Sequence, residues 1–219
     1  MAKAETVDPA DRDRALSLTP VSRETSDRLD RFVELLLKWQ MVTNLIAPST
    51  IPDLWTRHIA DSLQIAALAP NARSWIDLGS GGGFPGVVVA CVLAETPGAV
   101  VHLVESNAKK AAFLREARRV TGAPIEVHAE RIEQFTERYQ GPVEIVTARA
   151  LAPLPRLLEL ASSLLSRAGA RGMLLKGRDA EQELRDAGKS WMMDTALIPS
   201  LTDPLGRIIV VQALRPRAR

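Results

Sequence analysis

The residues best suited to chemistry stand in one short run, Asp77-Leu78-Gly79-Ser80-Gly81-Gly82-Gly83-Phe84-Pro85-Gly86. It follows an apolar stretch that reads as a strand and opens a segment that reads as a helix. In that setting glycines let backbone amides approach a ligand closely. Gly81, Gly83 and Gly86 satisfy the G-x-G-x-x-G spacing of nucleotide-binding turns, a weak signal on its own. Glu105 ends the next apolar stretch, 19 positions past Gly86. A carboxylate there can accept hydrogen bonds from both ribose hydroxyls of a nucleoside cofactor. Asp77 narrows the charge of that ligand. Beside a pyrophosphate it would repel, whereas beside a cationic centre without phosphate it is tolerated or favourable. A nucleoside ligand without phosphate therefore fits better than a dinucleotide.

The chain that must position these groups has 219 residues, with 46% hydrophobic and 25% charged side chains. Those values suit one α/β domain with a modest extension. Four Phe, four Trp and one Tyr predict an aliphatic core. The single cysteine, Cys91, lies in an apolar run and excludes an internal disulfide and a cysteine-clustered zinc site. No metal ligand set is read from the sequence. The start is polar, without a secretory apolar stretch, and no apolar run nears the roughly 20 residues that span a bilayer. A cytoplasmic protein is expected. The net charge of +2 neither demands nor excludes a nucleic-acid partner.

Residues 1 to 17 read as a disordered arm, being charged and poor in large apolar groups. Residues 18 to 70 read as a helical extension. Thr19-Pro20 reads as a helix start, and Leu29, Phe32, Val33, Leu36 and Leu37 mark one helical face. A second helix is expected from Thr50 to Leu68. From residue 71 to 214, short apolar runs alternate with helical patterns. Strands are expected at Ser74–Leu78, Val100–Glu105, Ile125–His128, Glu144–Thr147 and Gly172–Lys176. Helices are expected at Pro85–Ala94, Ala108–Val120, Arg131–Arg138 and Pro153–Ser166. That alternation predicts a parallel sheet buried on both faces. A helix at Asp179–Ala187 precedes two adjacent strands, Trp191–Ile198 and Arg207–Leu214, which should pair antiparallel. Seven strands in a Rossmann-like α/β sheet result. Residues 215 to 219 read as a frayed basic tail.

The acid-x-G-x-G-x-G form of the loop, Asp77 through Gly83, resembles S-adenosylmethionine-dependent methyltransferases. Further segments resemble one family, the glucose-inhibited division protein B family of bacterial small-subunit rRNA guanine-N7 methyltransferases. They are Lys38-Trp39 with Thr43-Asn44-Leu45, Arg57-His58-Ile59-Ala60-Asp61-Ser62, the glycine loop through Phe84-Pro85-Gly86, Thr147-Ala148-Arg149-Ala150, Leu175-Lys176-Gly177, and Gly206-Arg207 with the apolar run after it. They extend from about residue 30 to 214. The resemblance implies the class I methyltransferase fold, S-adenosyl-L-methionine as cofactor, and small-subunit ribosomal RNA or the small subunit itself as partner. It places Gly79, Phe84, Ile132, Glu133 and Arg149 around the cofactor, beside Asp77, Gly81, Gly83 and Glu105. It places Asn44, His58, Arg149, Lys176 and Arg207 near the substrate. A third consecutive glycine, Gly81–Gly83, exceeds what the loop needs.

The residues can be weighed against the chemistry of each methyl acceptor. Methylation of a pyrimidine C5 needs a cysteine nucleophile, and Cys91 reads as buried. An exocyclic amine usually calls for an Asn/Asp-Pro-Pro-aromatic segment after the fourth strand, where this chain has Ala148-Arg149-Ala150-Leu151. A ribose hydroxyl wants a proton acceptor, and no Lys-Asp-Lys-Glu set stands out. Guanine N7 carries an in-plane lone pair and no proton, so alignment can supply most of the acceleration. Arg149 is the catalytic candidate, orienting cofactor and base, with a structural strand-end arginine as the alternative. His58 reads equally as a structural hydrogen-bonder, and Asn44 as a cap or turn residue. Lys109, Lys110, Arg115, Arg118 and Arg119 suit phosphate contacts or a solvated helix face. A methyltransferase for a small molecule or protein, and a non-catalytic RNA-binding module, remain as alternatives. A monomer acting neither on DNA nor at a membrane is expected.

Overall fold

A computed structural model describes residues 6–217. Seven strands form one sheet in the order β3-β2-β1-β4-β5-β7-β6. The strands are β1 (Ser74–Leu78), β2 (Val100–Val104), β3 (Ile125–His128), β4 (Ile145–Arg149), β5 (Arg171–Lys176), β6 (Trp191–Pro199) and β7 (Arg207–Pro216). The first five are parallel, and β7 runs antiparallel between β5 and β6. Every residue of β1 is buried, as a strand covered on both faces requires. Chain order reverses at β1, whose neighbours are β2 and β4. Ligands bind beyond the carboxyl ends of such a switch point.

One face of the sheet is covered by α2 (Arg23–Gln40), α4 (Gly86–Val92) and α5 (Ala108–Thr121), the other by α6 (Ile132–Arg138), α7 (Leu154–Leu165) and α8 (Ala180–Ala187). Leu29, Phe32, Val33 and Leu36 of α2 are buried, each stabilising the fold by about 1.5–3 kcal/mol relative to exposure. They share one apolar cluster with Val87, Leu103 and Phe113 of the sheet region. No helix among the described residues is long and apolar enough to cross a membrane.

The N-terminal part departs from the sequence reading in three places. A helix, α1 (Asp11–Leu18), stands where a disordered arm is expected. Its anchor is Asp11, fully buried, whose carboxylate accepts from Trp55 N at 2.6 Å and from the Thr56 hydroxyl at 2.5 Å. It caps a helix start 44 residues away, a partner that local composition does not reveal. Second, α2 begins at Arg23 because the Ser22 hydroxyl, and not Thr19, accepts from the backbone of Thr25. Third, the expected helix at Thr50–Leu68 is split into a 3-10 turn (Pro48–Thr50), a π-helical turn (Trp55–Ala60) and α3 (Asp61–Ala67). The tail also differs: β7 continues through Pro216, and residues 218 and 219 lie outside the described residues.

Candidate active site

The glycine loop leaves β1 with Gly79, Gly81 and Gly83 at φ +69°, +52° and +88°. L side chains rarely adopt that region. Gly79 also lies under Leu151, whose Cδ1 would stand 2.7 Å from an added Cβ. Asp77 is buried beneath the loop and does not face the cleft. Its carboxylate accepts from the Thr147 hydroxyl at 2.8 Å and from Gly86 N at 3.3 Å, tying β1 to β4 and to the start of α4. Burial pushes its pKa up to about 6, against the pull of those hydrogen bonds. Gly83 packs against Val87 and Phe32, and Phe84 is buried. These three expected cofactor residues therefore hold the loop from behind.

The groove in front of the loop has a volume of about 420 Å³ and is lined by Gly79, Gly81, Glu105, Ser106, Glu130, Arg131, Ile132, Glu133 and Leu151, among others. Here the expected Gly79, Gly81, Glu105, Ile132 and Glu133 do come together. Glu105 stands at its lip and accepts from Gly81 N at 2.9 Å and Asn107 N at 2.7 Å. Those bonds fix the carboxylate beside the glycine turn, where it can exchange them for a ribose diol. Val104 and Ile132 give the groove apolar walls. Glu133 is ion-paired with Arg156 at 2.9 Å. The donor set thus suits an adenosyl cofactor.

A second cavity of about 510 Å³ lies on the other side of the strap Ala150–Ala152, which lines both. Ala150 adopts φ +51°, strained backbone for a non-glycine residue, at the exit of β4. The cavity walls carry Arg57, His58, Asp61, Arg149, Lys176 and Arg207. The Arg149 guanidinium lies 4.9 Å from the Phe84 ring centroid. Burial lowers its pKa while Asp61 and Asp77 favour the charged form, and a guanidinium remains protonated.

His58 stacks on Phe84 with ring centroids 5.0 Å apart. The Thr50 hydroxyl donates to the Ala47 carbonyl at 2.7 Å, so at 2.8 Å it accepts from His58 Nε2. That leaves His58 Nδ1 as a buried acceptor without a protein partner. Burial drives the imidazole pKa down to about 3, helped by Arg149 and Arg57. His58 is therefore neutral at physiological pH.

Lys176 lines the cavity, but its ammonium donates to the Ala152 carbonyl at 2.6 Å and pairs with Glu183 at 2.7 Å. Glu183 also accepts from Leu154 N at 2.5 Å, so this pair fastens the strap. Arg207 donates to the carbonyls of Pro204 and Gly206 at 2.8 and 2.7 Å. Asn44 is exposed and lines neither cavity. Its neighbour Leu45 packs its carbonyl against Gly82, and Gln40 pins that segment through Leu45 N at 2.9 Å.

Two lining residues escaped the sequence reading, although the Arg57–Ser62 segment contains both. Asp61 follows His58 by three positions and Arg57 by four, which puts all three on one helical side. The Asp61 carboxylate accepts from the hydroxyls of Ser200 at 3.1 Å and Thr202 at 3.2 Å. Burial raises its pKa, with Arg149 opposing. The π-helical turn just before Asp61 carries Arg57 and His58 to the same cavity, a device found often at functional sites.

The fold and the sequence both have known counterparts. An O-methyltransferase from Bacillus cereus, solved in complex with SAH, superposes with a TM-score of 0.61 at 16% identity, over 93% of this chain and 97% of that one. A putative O-methyltransferase from Klebsiella pneumoniae gives 0.61 at 14% identity, over 94% and 97%. These likenesses establish the class I methyltransferase fold. In sequence the chain is 58% identical over 211 residues to the Ribosomal RNA small subunit methyltransferase G of a Bradyrhizobium strain, covering 96% of this chain and 95% of that one. It is 56% identical over 208 residues to the protein of that name from Rhodopseudomonas palustris, covering 95% and 88%. A family profile matches residues 25–204. The chain therefore belongs to the rRNA small subunit methyltransferase G family.

Proposed function

We propose that this protein transfers a methyl group from S-adenosyl-L-methionine to N7 of a guanine in small-subunit ribosomal RNA. The observation that carries this reading is the pair of cavities flanking one strap, with Arg149 facing the second of them. The cofactor supplies an electrophilic methyl group on sulfonium. Glu105 holds its ribose, Ile132 packs its base, and Gly79 and Gly81 let the backbone come close. The lysine–glutamate pair under Ala152 keeps the strap in place.

In the second cavity Arg149 donates to guanine O6 and leaves N7 free to react. Asp61 accepts from N1–H and the N2 amino group. Adenine presents an acceptor at N1 and an amino group at position 6, so it meets a carboxylate and a guanidinium with the wrong polarity. N7 loses no proton on methylation, and the neutral His58, its Nε2 proton engaged by Thr50, is not needed as a base. The product base gains positive charge, which the Asp61 carboxylate stabilises. Arg57 and Arg207 at the rim, with the basic face of α5, contact phosphates.

Both cavities are built from one chain, which supports a monomer. Ribosomal RNA as substrate supports action in the cytoplasm on RNA or the small subunit, and neither on DNA nor at a membrane. The test is transfer of labelled methyl to small-subunit RNA and particles from cells lacking the protein, with the nucleoside identified by mass. 7-Methylguanosine is the expected product. Any other methylated nucleoside, or transfer only to small molecules or proteins, overturns the reading.

A further inference from the structure

Of the three histidines, only His58 lines the proposed site. The other two meet at the sheet's edge, where β3 is the last strand. His102 on β2 is in register with Glu126 on β3, and Val104 with His128. Alternation along a strand puts His102, Glu126 and His128 on one face. His102 Nδ1 lies 3.0 Å from His128 Nε2 and 3.3 Å from a Glu126 carboxylate oxygen.

Counting protons shows what these atoms offer each other. The Tyr139 hydroxyl donates its only proton to the Pro142 carbonyl at 2.8 Å. At 3.0 Å from His102 Nε2 it must therefore accept, which puts the His102 proton on Nε2 and a lone pair on Nδ1. On the far side of His128, Nδ1 faces Glu130 at 3.9 Å, and Arg138 pairs with that same carboxylate. His128 Nε2 faces His102 Nδ1, so with its own proton on Nδ1 it presents a second lone pair. Burial lowers the pKa of both imidazoles and so favours their neutral forms, against the pull of Glu126 and Glu130. With both ring protons on the outer nitrogens, in place of the imidazole–imidazole hydrogen bond, two lone pairs and a carboxylate oxygen converge on one point. A tetrahedral zinc site with ligands at about 2.0–2.1 Å has ligand–ligand edges of about 3.3 Å. The two separations here match such edges, and all three ligand atoms lie within 4.8 Å of one another.

We propose that His102 Nδ1, His128 Nε2 and the Glu126 carboxylate bind one divalent transition-metal ion of zinc type, with water at the fourth position on the exposed Glu126 side. Tyr139 is the outer partner that orients the His102 ring, as metal-bound histidines usually require. The ion fastens the edge strand β3 to β2. It is a site separate from methyl transfer, and its test does not depend on the reading of the two cavities.

The experiment uses the untagged full-length protein, freed of metal by chelation and titrated with zinc chloride by calorimetry. One equivalent is expected to bind saturably and to raise the thermal midpoint. Cobalt(II) in its place should give the intense visible absorption of four-coordination. Glu126→Gln, an exposed change that spares the fold, and His128→Gln should each weaken zinc binding at least about tenfold. Tyr139→Phe should weaken it by about 10- to 100-fold. His58→Gln should leave it unchanged. The absence of saturable binding overturns the proposal and leaves a hydrogen-bonded imidazole pair. Binding that persists undiminished in Glu126→Gln and Tyr139→Phe overturns it equally, including where His128→Gln does not fold.

Discussion

The groove and the cavity on the two sides of the Ala150–Ala152 strap are built in opposite ways. The groove comes from consecutive strand ends: the loop after β1, Glu105 after β2, Ile132 after β3. The cavity is gathered from a π-helical turn, the exit of β4, the end of β5, α8 and the loop before β7. A nucleoside cofactor can thus be held by a local device that recurs across a fold, whereas reading one base takes groups brought together from distant segments. Binding should therefore fail on one side and catalysis on the other.

The largest effect is expected at Arg149. Arg149→Ala should reduce single-turnover methyl transfer about 100-fold or more, roughly 2–4 kcal/mol of barrier, with cofactor affinity nearly unchanged. An equal loss in cofactor affinity would place Arg149 in the groove and erase the distinction. Next comes Asp77, whose pKa of about 6 lies above its ordinary 3.8. A carboxyl with a raised folded-state pKa binds its proton more tightly when folded. Its stabilising contribution is complete below about pH 4 and is lost as pH rises to about 6, a change of about 3 kcal/mol. Urea midpoints at pH 4 and 7 should show that loss in the wild type and a flatter profile in Asp77→Asn.

Glu105→Gln should weaken cofactor binding by about 1.5–2 kcal/mol, the worth of a charge-assisted hydrogen bond. Methyl transfer at saturating cofactor should stay within a few fold. Calorimetry and single-turnover kinetics separate the two quantities. The smallest effect is expected at a residue that lines neither pocket. Asp11→Ala removes the anchor of α1 and should cost about 1–2 kcal/mol of stability in urea unfolding. It should leave cofactor affinity intact. A drop there would mean that the N-terminal helix shapes the groove as well.

The same contrast sets what the sequence discloses. The five parallel strands are legible because a strand buried on both faces is an apolar run, as Ser74–Leu78 shows. The groove is legible because glycines and an acid follow such runs at fixed spacing. The start of α2 shifts by three residues because Ser22, and not Thr19, wins the backbone amide, whereas α5 starts where expected, capped by Asn107. Asp11 is illegible because its partners are Trp55 and Thr56. Lys176 reads as a substrate contact until Glu183 and the Ala152 carbonyl are seen to occupy its ammonium. Asn44 sits in a matching motif, yet its segment serves the loop through Leu45. Asp61 needs Ser200, Thr202 and Arg149 around it before its carboxylate stands out as a candidate reader of base edges.

The most direct test of the central claim is chemical and concerns the acceptor atom. Small-subunit RNA is prepared with 7-deazaguanosine at the methylated position, which replaces N7 by a C–H and leaves the O6, N1 and N2 edge intact. Arg149 and Asp61 should still bind this RNA with unchanged affinity, and methyl transfer should vanish. Transfer at an undiminished rate would contradict N7 as the acceptor.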